Sequence, residues 1–365
     1  MRQLAPPLGG YTGLAMVGTP TTIADEMGFG PGPDCRNANR CRLVRWPLGT
    51  MPIRRYFPMG RRKGSPMAQQ IPLDPSLRAD NPDRDTARDD DTLEAASDIA
   101  YRRLLIVNVV FYGPRNAGDG GWVLIDAGVF GTKPLIKSAA AQRFGDNARP
   151  AAIVLTHGHF DHVGVLEDLA AEWDVPVYAH PLEHPYLNGS ASYPPPDPSV
   201  GGGLIALSSS LFPRAPVNVG DKLRALPEDG SIPPMPGWRW VHTPGHTPGH
   251  VSFWREADRS LIVGDAFVTT RQESVYAVAT QEPELHGPPM YYTMDWASAQ
   301  TSVQRLAALE PELAVTGHGR AMRGSGMRDA LHLLAREFDR IAVPKQGRYV
   351  REPARAEDGS AYRSP

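Results

Sequence analysis

The chain has 365 residues, 41% apolar and 21% charged, with a formal net charge of −2; it can bury a sizeable core in one large domain with extensions or in two modest domains, and wholesale disorder is excluded. Balanced charge argues against an electrostatic nucleic-acid binder, which needs a basic excess on one face. Two cysteines make no disulfide framework, no basic-then-apolar signal opens the chain, and the most apolar run, Leu104 to Tyr112, is far short of the roughly 18 residues of a membrane span, so a cytoplasmic protein without membrane partners is expected.

Residues 1–66 hold ten Gly and nine Pro without a repeat period or apolar periodicity. They read as a disordered leader, or as an over-extended gene start if Met67 is the initiator. Cys35 and Cys41, with no histidine nearby, read as free thiols. Residues 67–100 read as a solvated acidic extension, with Asp89-Asp90-Asp91 at its densest point. From Tyr101 the texture is globular. Leu104 to Tyr112 and Trp122 to Asp126 are expected strands joined by a Gly-rich connection. A helix is expected over Pro134 to Phe144, a short buried strand at Ile153-Val154-Leu155, a helix over Val163 to Trp173, and a strand over Val175 to Ala179. The long loop Ser190 to Gly203 then reads as a lid or binding loop. Trp238 to His242 alternates like a strand, and Val251 to Trp254 with Leu261 to Val263 forms a hairpin. Asp295 caps a helix to Leu309, Leu313 to Thr316 is a strand, and Met327 to Ile341 is the last helix. Residues 344–365 read as a polar, frayed tail. Each half supplies strands first and strand–helix alternation after, which suggests two helix-covered sheets within a catalytic domain over residues 101–343.

All eleven histidines lie at or after position 157, so the chemistry belongs to the second half. The decisive motif is His157-Gly158-His159-Phe160-Asp161-His162, just after a short strand. His157 and His159, two residues apart, point to one side of extended chain and converge on one ion. Asp161 and His162 open the next helix and face a second ion. Imidazole and carboxylate suit zinc, with iron or manganese as alternatives. Further ligand candidates stand at strand ends, where loops project from rigid sheets: His246, Asp265 and His318. Neighbouring Gly245, Gly264 and Gly317 let backbone come close.

The segments Leu124-Ile125-Asp126-Ala127-Gly128, Thr156 to Gly164, Thr243-Pro244-Gly245-His246-Thr247-Pro248-Gly249-His250, Gly264-Asp265 and Gly317-His318-Gly319 together resemble the metallo-β-lactamase superfamily, in the style of glyoxalase II-like hydrolases. The resemblance implies an α/β fold of the α+β kind, a four-layer αββα sandwich with metals at the sheet edge. It implies that His157, His159 and His246 hold one divalent metal ion, that Asp161, His162 and His318 hold another, and that Asp265 bridges both. Asp126 would orient the ligand loops, or simply be a strand-end turn carboxylate. His242 and His250 flank a ligand and are not needed as ligands. The roles of His180, His184 and His286 stay open, the last between lining the pocket and ordinary loop packing.

Such a centre acidifies a bridging water to a hydroxide that attacks a carbonyl or phosphoryl carbon or phosphorus, with Asp161 relaying the proton. The expected activity is hydrolysis of a small ester, thioester or lactone. The alternative is a persulfide dioxygenase of the same superfamily with a single iron. The Tyr193 loop and Tyr291-Tyr292 are expected to shape a compact, partly apolar pocket. No basic cluster for an anionic substrate group is visible, only Arg271 and Arg320 as single candidates.

Overall fold

Alternate residues along the strands of this chain face different partners, and that alternation builds four layers. The computed structural model describes residues 71–79, 91–274, 276 and 282–365. These residues belong to one unit, Lys63–Pro365. The strands are β1 (Ile71–Pro72), β2 (Leu93–Ala96), β3 (Ile99–Leu104), β4 (Val107–Tyr112), β5 (Val123–Ile125), β6 (Ala152–Val154), β7 (Val177–Ala179), β8 (Leu223–Ala225), β9 (Trp238–His242), β10 (Val251–Arg255), β11 (Ser260–Gly264), β12 (Glu284–Leu285), β13 (Leu313–Thr316) and β14 (Met322–Arg323). A seven-stranded sheet runs β2-β3-β4-β5-β6-β7-β8 and a five-stranded sheet β14-β13-β11-β10-β9, with β1 and β12 as a separate pair.

Val107, Val109, Phe111, Leu124 and Ile153 pack outward under helices Lys133–Phe144 and Leu166–Trp173. Their neighbours Val110, Val123, Ile125 and Val154 point inward, against Phe253, Ile262 and Val315 of the other sheet. Trp254, Leu261, Val263 and Ala314 face out again, under helices Trp296–Ala307 and Ser325–Arg336. Each fully buried Val, Leu, Ile or Phe contributes about 1.5–3 kcal/mol relative to exposure. The result is the expected αββα sandwich. Strands β5 to β8 are parallel, as are β11 and β13, while β9 runs in the same direction as β11 because both are antiparallel to β10. The loops leaving β9, β11 and β13 therefore emerge at one end, and those leaving β5 and β6 emerge side by side. No helix among the described residues is long and apolar enough to cross a membrane.

Several boundaries differ from the sequence reading. The leader of residues 1–66, with Cys35 and Cys41, lies outside the described residues. In the acidic stretch of residues 67–100, Ile71–Pro72 pairs with β12 and Leu73 is buried. Its last part supplies β2 and the start of β3, so the sheet begins at Leu93 rather than Tyr101. The acids there are not simply solvated: Glu94 meets the fully buried Arg143 at 3.1 Å, and Asp98 pairs with Arg255. The run Leu104 to Tyr112 is the last residue of β3 and all of β4, joined by a turn at Leu105-Ile106 whose Leu105 is exposed at φ 62°. The second helix starts at Leu166, not Val163, because Ala127 N donates to His162 O and Gly164 N to Gly128 O, holding residues 162–164 against the β5 loop. Asp161 and His162 thus sit in a turn. The last long helix ends at Arg336, and Phe338–Ile341 forms a separate turn of helix. The tail is not frayed: Tyr349, Ala354 and Ala361 are buried, the first two packed with Tyr186, Tyr193 and Met294.

Candidate metal centre

All seven residues singled out as ligand candidates are buried at the strand ends and come together in space. His157, His159 and His246 form one group, Asp161, His162 and His318 another, and His157, His162 and Asp265 a third between them. His157 Nε2 and His246 Nε2 stand 3.0 and 2.9 Å from His159 Nδ1, so three ring nitrogens converge on one point. Asp265 spans the groups. Its Oδ2 lies 3.1 Å from His318 Nε2 and 3.5 Å from His246 Nε2, and its Oδ1 lies 3.6 Å from His162 Nε2. Asp161 Oδ2 faces His318 Nε2 at 3.5 Å.

The supports behind these groups fix which ring nitrogen is presented. Asp126, at φ 61° just past β5, accepts from Thr156 N and Thr156 Oγ1 at 2.8 Å each and from His162 Nδ1 at 2.8 Å. That leaves His162 Nε2 aimed into the centre. It also settles Asp126 as the residue that orients this loop, beyond a turn carboxylate. His318 Nδ1 donates to Ile106 O at 2.6 Å, which again turns Nε2 inward. His250 is buried behind Asp265: its Nε2 accepts from Asp265 N at 2.8 Å, so its Nδ1 proton faces Thr243 Oγ1 at 2.8 Å. Close packing of backbone is needed here. A Cβ on Gly317 would stand 2.1 Å from Asp265 Oδ1, and one on Gly264 would stand 2.6 Å from His250 Nε2.

Sequence reasoning missed Glu183. Its side chain is fully buried, with Oε1 accepting from Gly249 N and Thr247 Oγ1 at 2.8 Å each. Its Oε2 accepts from Gly158 N at 2.9 Å and from the Tyr193 hydroxyl. One carboxylate therefore ties the His157–His159 loop to the His246 loop. Burial raises its pKa, opposed by those four donors. No local motif marks this residue; a glutamate between Leu182 and His184 reads as an ordinary loop acid. Tyr193 and Tyr292 both pack beside His159, with ring centroids 4.4 and 4.5 Å away. His180 stacks on His242 at 4.3 Å, His184 Nε2 lies 3.3 Å from Ala179 O, and His286 pairs with Glu284, so none of these joins the centre.

Electrostatics divides the centre in two. Burial and mutual repulsion hold His157 and His159 well below the usual imidazole range, and burial pushes His246 down to about 3. These three are neutral imidazoles. Burial works against charge at His162 and His318 as well, yet the surrounding carboxylates, Asp265 foremost, pull both upward. Asp265 is itself held well below the carboxylate range by His318 and His162, against the effect of burial. This half of the centre is electronegative and takes up positive charge. A divalent cation fits the residues present, because His162 Nε2 and Asp265 Oδ1 are both buried without a hydrogen-bond partner and too far apart to serve each other. The donor set of imidazoles and carboxylates suits zinc, iron or manganese.

The comparisons with known proteins place the chain in a family. The family model of the metallo-beta-lactamase superfamily matches residues 102–318. YflN of Bacillus subtilis (strain 168), named "Probable metallo-hydrolase", is 45% identical over 248 residues, covering 68% of this chain and 94% of YflN. YybB of the same organism, with the same description, is 29% identical over 170 residues, covering 47% of this chain and 64% of YybB. Among solved structures, TTHA1623 in a di-iron-bound form is 27% identical, covers 65% of this chain and 96% of its own, and gives a TM-score of 0.41.

Proposed function

Because the chain belongs to the metallo-β-lactamase superfamily and is a metallo-hydrolase of that superfamily, we propose that it cleaves a small ester, thioester or lactone at a centre of two divalent metal ions, zinc first among them. The observation that carries this reading is Asp265, whose carboxylate reaches toward His246 of one ligand group and toward both His162 and His318 of the other. A single shared carboxylate between two ligand groups favours two ions over one. His157, His159 and His246 would hold the first ion, Asp161, His162 and His318 the second, with Asp265 between them. Bound divalent ions supply Lewis acidity and a water acidified to near-neutral pKa.

The chain's own residues do the rest. Tyr292 and Phe160 stand beside the centre, with Phe212 5.2 Å from Phe160, and offer an apolar wall to a compact substrate. Asp161 holds a proton at its carboxylate and returns it as the leaving group departs, a contribution of about 10²–10⁴-fold for a positioned general acid–base group. Asp126, His250 and Glu183 keep the ligand side chains in place through the hydrogen bonds described above.

Metal analysis followed by a panel of thioesters, lactones, aryl esters and phosphodiesters tests the proposal. Two ions per chain and turnover of one of the first three classes support it. One tightly bound iron, with oxygen uptake on a persulfide, replaces it with the dioxygenase reading.

A further inference from the structure

The sequence offers no basic cluster, yet folding gathers one. The ordered tail closes over the loop after helix His184–Leu187 and leaves a cavity of about 520 Å³ between them, within the range of small-molecule sites. Arg214, Arg348 and Arg363 line it together with Tyr349 and Ser360, against a single carboxylate, Glu352. These arginines are 134 and 15 positions apart in sequence, which is why no local pattern announces them.

The backbones of Arg348 and Arg363 and the guanidinium of Arg214 are held in place, and none of the three makes a side-chain ion pair among the described residues. Arg363 N donates to Ser192 O at 2.9 Å and Ser192 N to Arg363 O at 2.8 Å. Arg348 N donates to Asp197 Oδ2, and Arg214 Nη1 donates to Tyr193 O at 3.1 Å. Carboxylates elsewhere pair with Arg143, Arg255, Arg328 and Arg355, but none among the described residues pairs with these three. Three cations against one carboxylate thus line a single cavity of a chain with net charge −2. Guanidinium groups on a fixed frame match the planar, bidentate geometry of carboxylate and phosphate oxygens.

We propose that this cavity is a binding site for an oxyanion-bearing small molecule, through a carboxylate or a phosphate group held by Arg214, Arg348 and Arg363. The site is separate from the metal ligands and does not depend on which bond the metal centre cleaves. Its connection to that centre is the loop carrying Tyr193, whose carbonyl accepts from Arg214 and whose hydroxyl donates to Glu183.

Calorimetric titration of the metal-loaded protein with inorganic phosphate, and in parallel with succinate, tests this. Saturable binding of either anion is expected, with the preferred one showing which group the cavity takes. The double variant R348A/R363A should weaken that binding by about tenfold or more while metal content and melting temperature stay unchanged, since both side chains are exposed. Because anions also bind metal centres, H246A is titrated alongside. Binding that disappears in H246A but persists in R348A/R363A places the anion at the metals and overturns the proposal, as does the absence of saturable binding of both anions.

Discussion

Replacing Glu183 tests whether the two histidine loops are held in register by one buried carboxylate. In Glu183→Gln the amide nitrogen takes the place of one oxygen. At the Oε1 position it would face Gly249 N, which has no other acceptor nearby, so it goes to the Oε2 position, where the Tyr193 hydroxyl can turn to accept from it. Gly158 N then keeps only its 3.0 Å contact to the Tyr193 oxygen and meets a donor where it had an acceptor. Loss of one buried hydrogen bond to a charged group costs about 1–3 kcal/mol. For a domain of this size that is a fall in melting temperature of about 2–6 °C. Glu183→Ala strands Gly249 N and Thr247 Oγ1 as well and should cost about 4 kcal/mol or more, a large part of typical stability. The distinguishing measurement is metal affinity by chelator competition in the folded Gln variant. Supports behind metal ligands are worth about 10–100-fold, and the zinc affinity should drop on that scale. A Gln variant that melts within about 1 °C of the parent and binds zinc equally well would refute the clamp.

Further expectations concern the centre and the fold boundary. Zinc-loaded protein should contain about two ions per chain, and His246→Ala should lower that number and abolish turnover. Asp161→Asn should retain measurable metal with activity down by about 10²-fold or more, whereas equal losses in Asp161→Asn and His162→Ala, each tracking metal, would show that Asp161 serves only as a ligand. Gly317→Ala should displace Asp265 and reduce metal content in a protein that still folds by circular dichroism, since the new methyl group would overlap Asp265 Oδ1. A chain beginning at Met67 should keep its metal and melt within a few degrees of the whole. One beginning at Tyr101 loses β2 and takes Glu94 from the buried Arg143, at about 3–5 kcal/mol, and thermal melts should show it unfolded or strongly destabilised.

The candidate ligand set was legible because metal chemistry needs residue types that are rare and because each candidate lies in a loop that follows a strand. His157 and His159 share a side by strand periodicity alone, and the glycines at 245, 264 and 317 mark where backbone crowds the centre. The layered fold was legible for a similar reason: Val123, Leu124 and Ile125 or Leu261, Ile262 and Val263 are apolar on both faces, as strands buried between a helix layer and a second sheet must be.

What could not be read depends on partners distant in sequence. Residues 91–98 look solvated because acids usually are, and only the positions of Arg143 and Arg255 turn Glu94 and Asp98 into supports of a sheet edge. The tail looks frayed by composition, yet Tyr349 and Ala354 find apolar cover on Tyr186 and Tyr193. Glu183 follows the same logic at higher stakes. Desolvating a carboxylate is costly unless every oxygen is satisfied, and three of the four donors that satisfy it, Gly158 N, Thr247 Oγ1 and Gly249 N, come from two loops 25 and more residues away, the fourth being the Tyr193 hydroxyl ten residues on. That cost is what makes the residue informative: a buried carboxylate joining both ligand loops is stable only when those loops stand in the one register that also converges His157, His159 and His246. The candidate ligands can be read from the sequence because they are local; their register can be read only from the fold, because it is enforced at a distance.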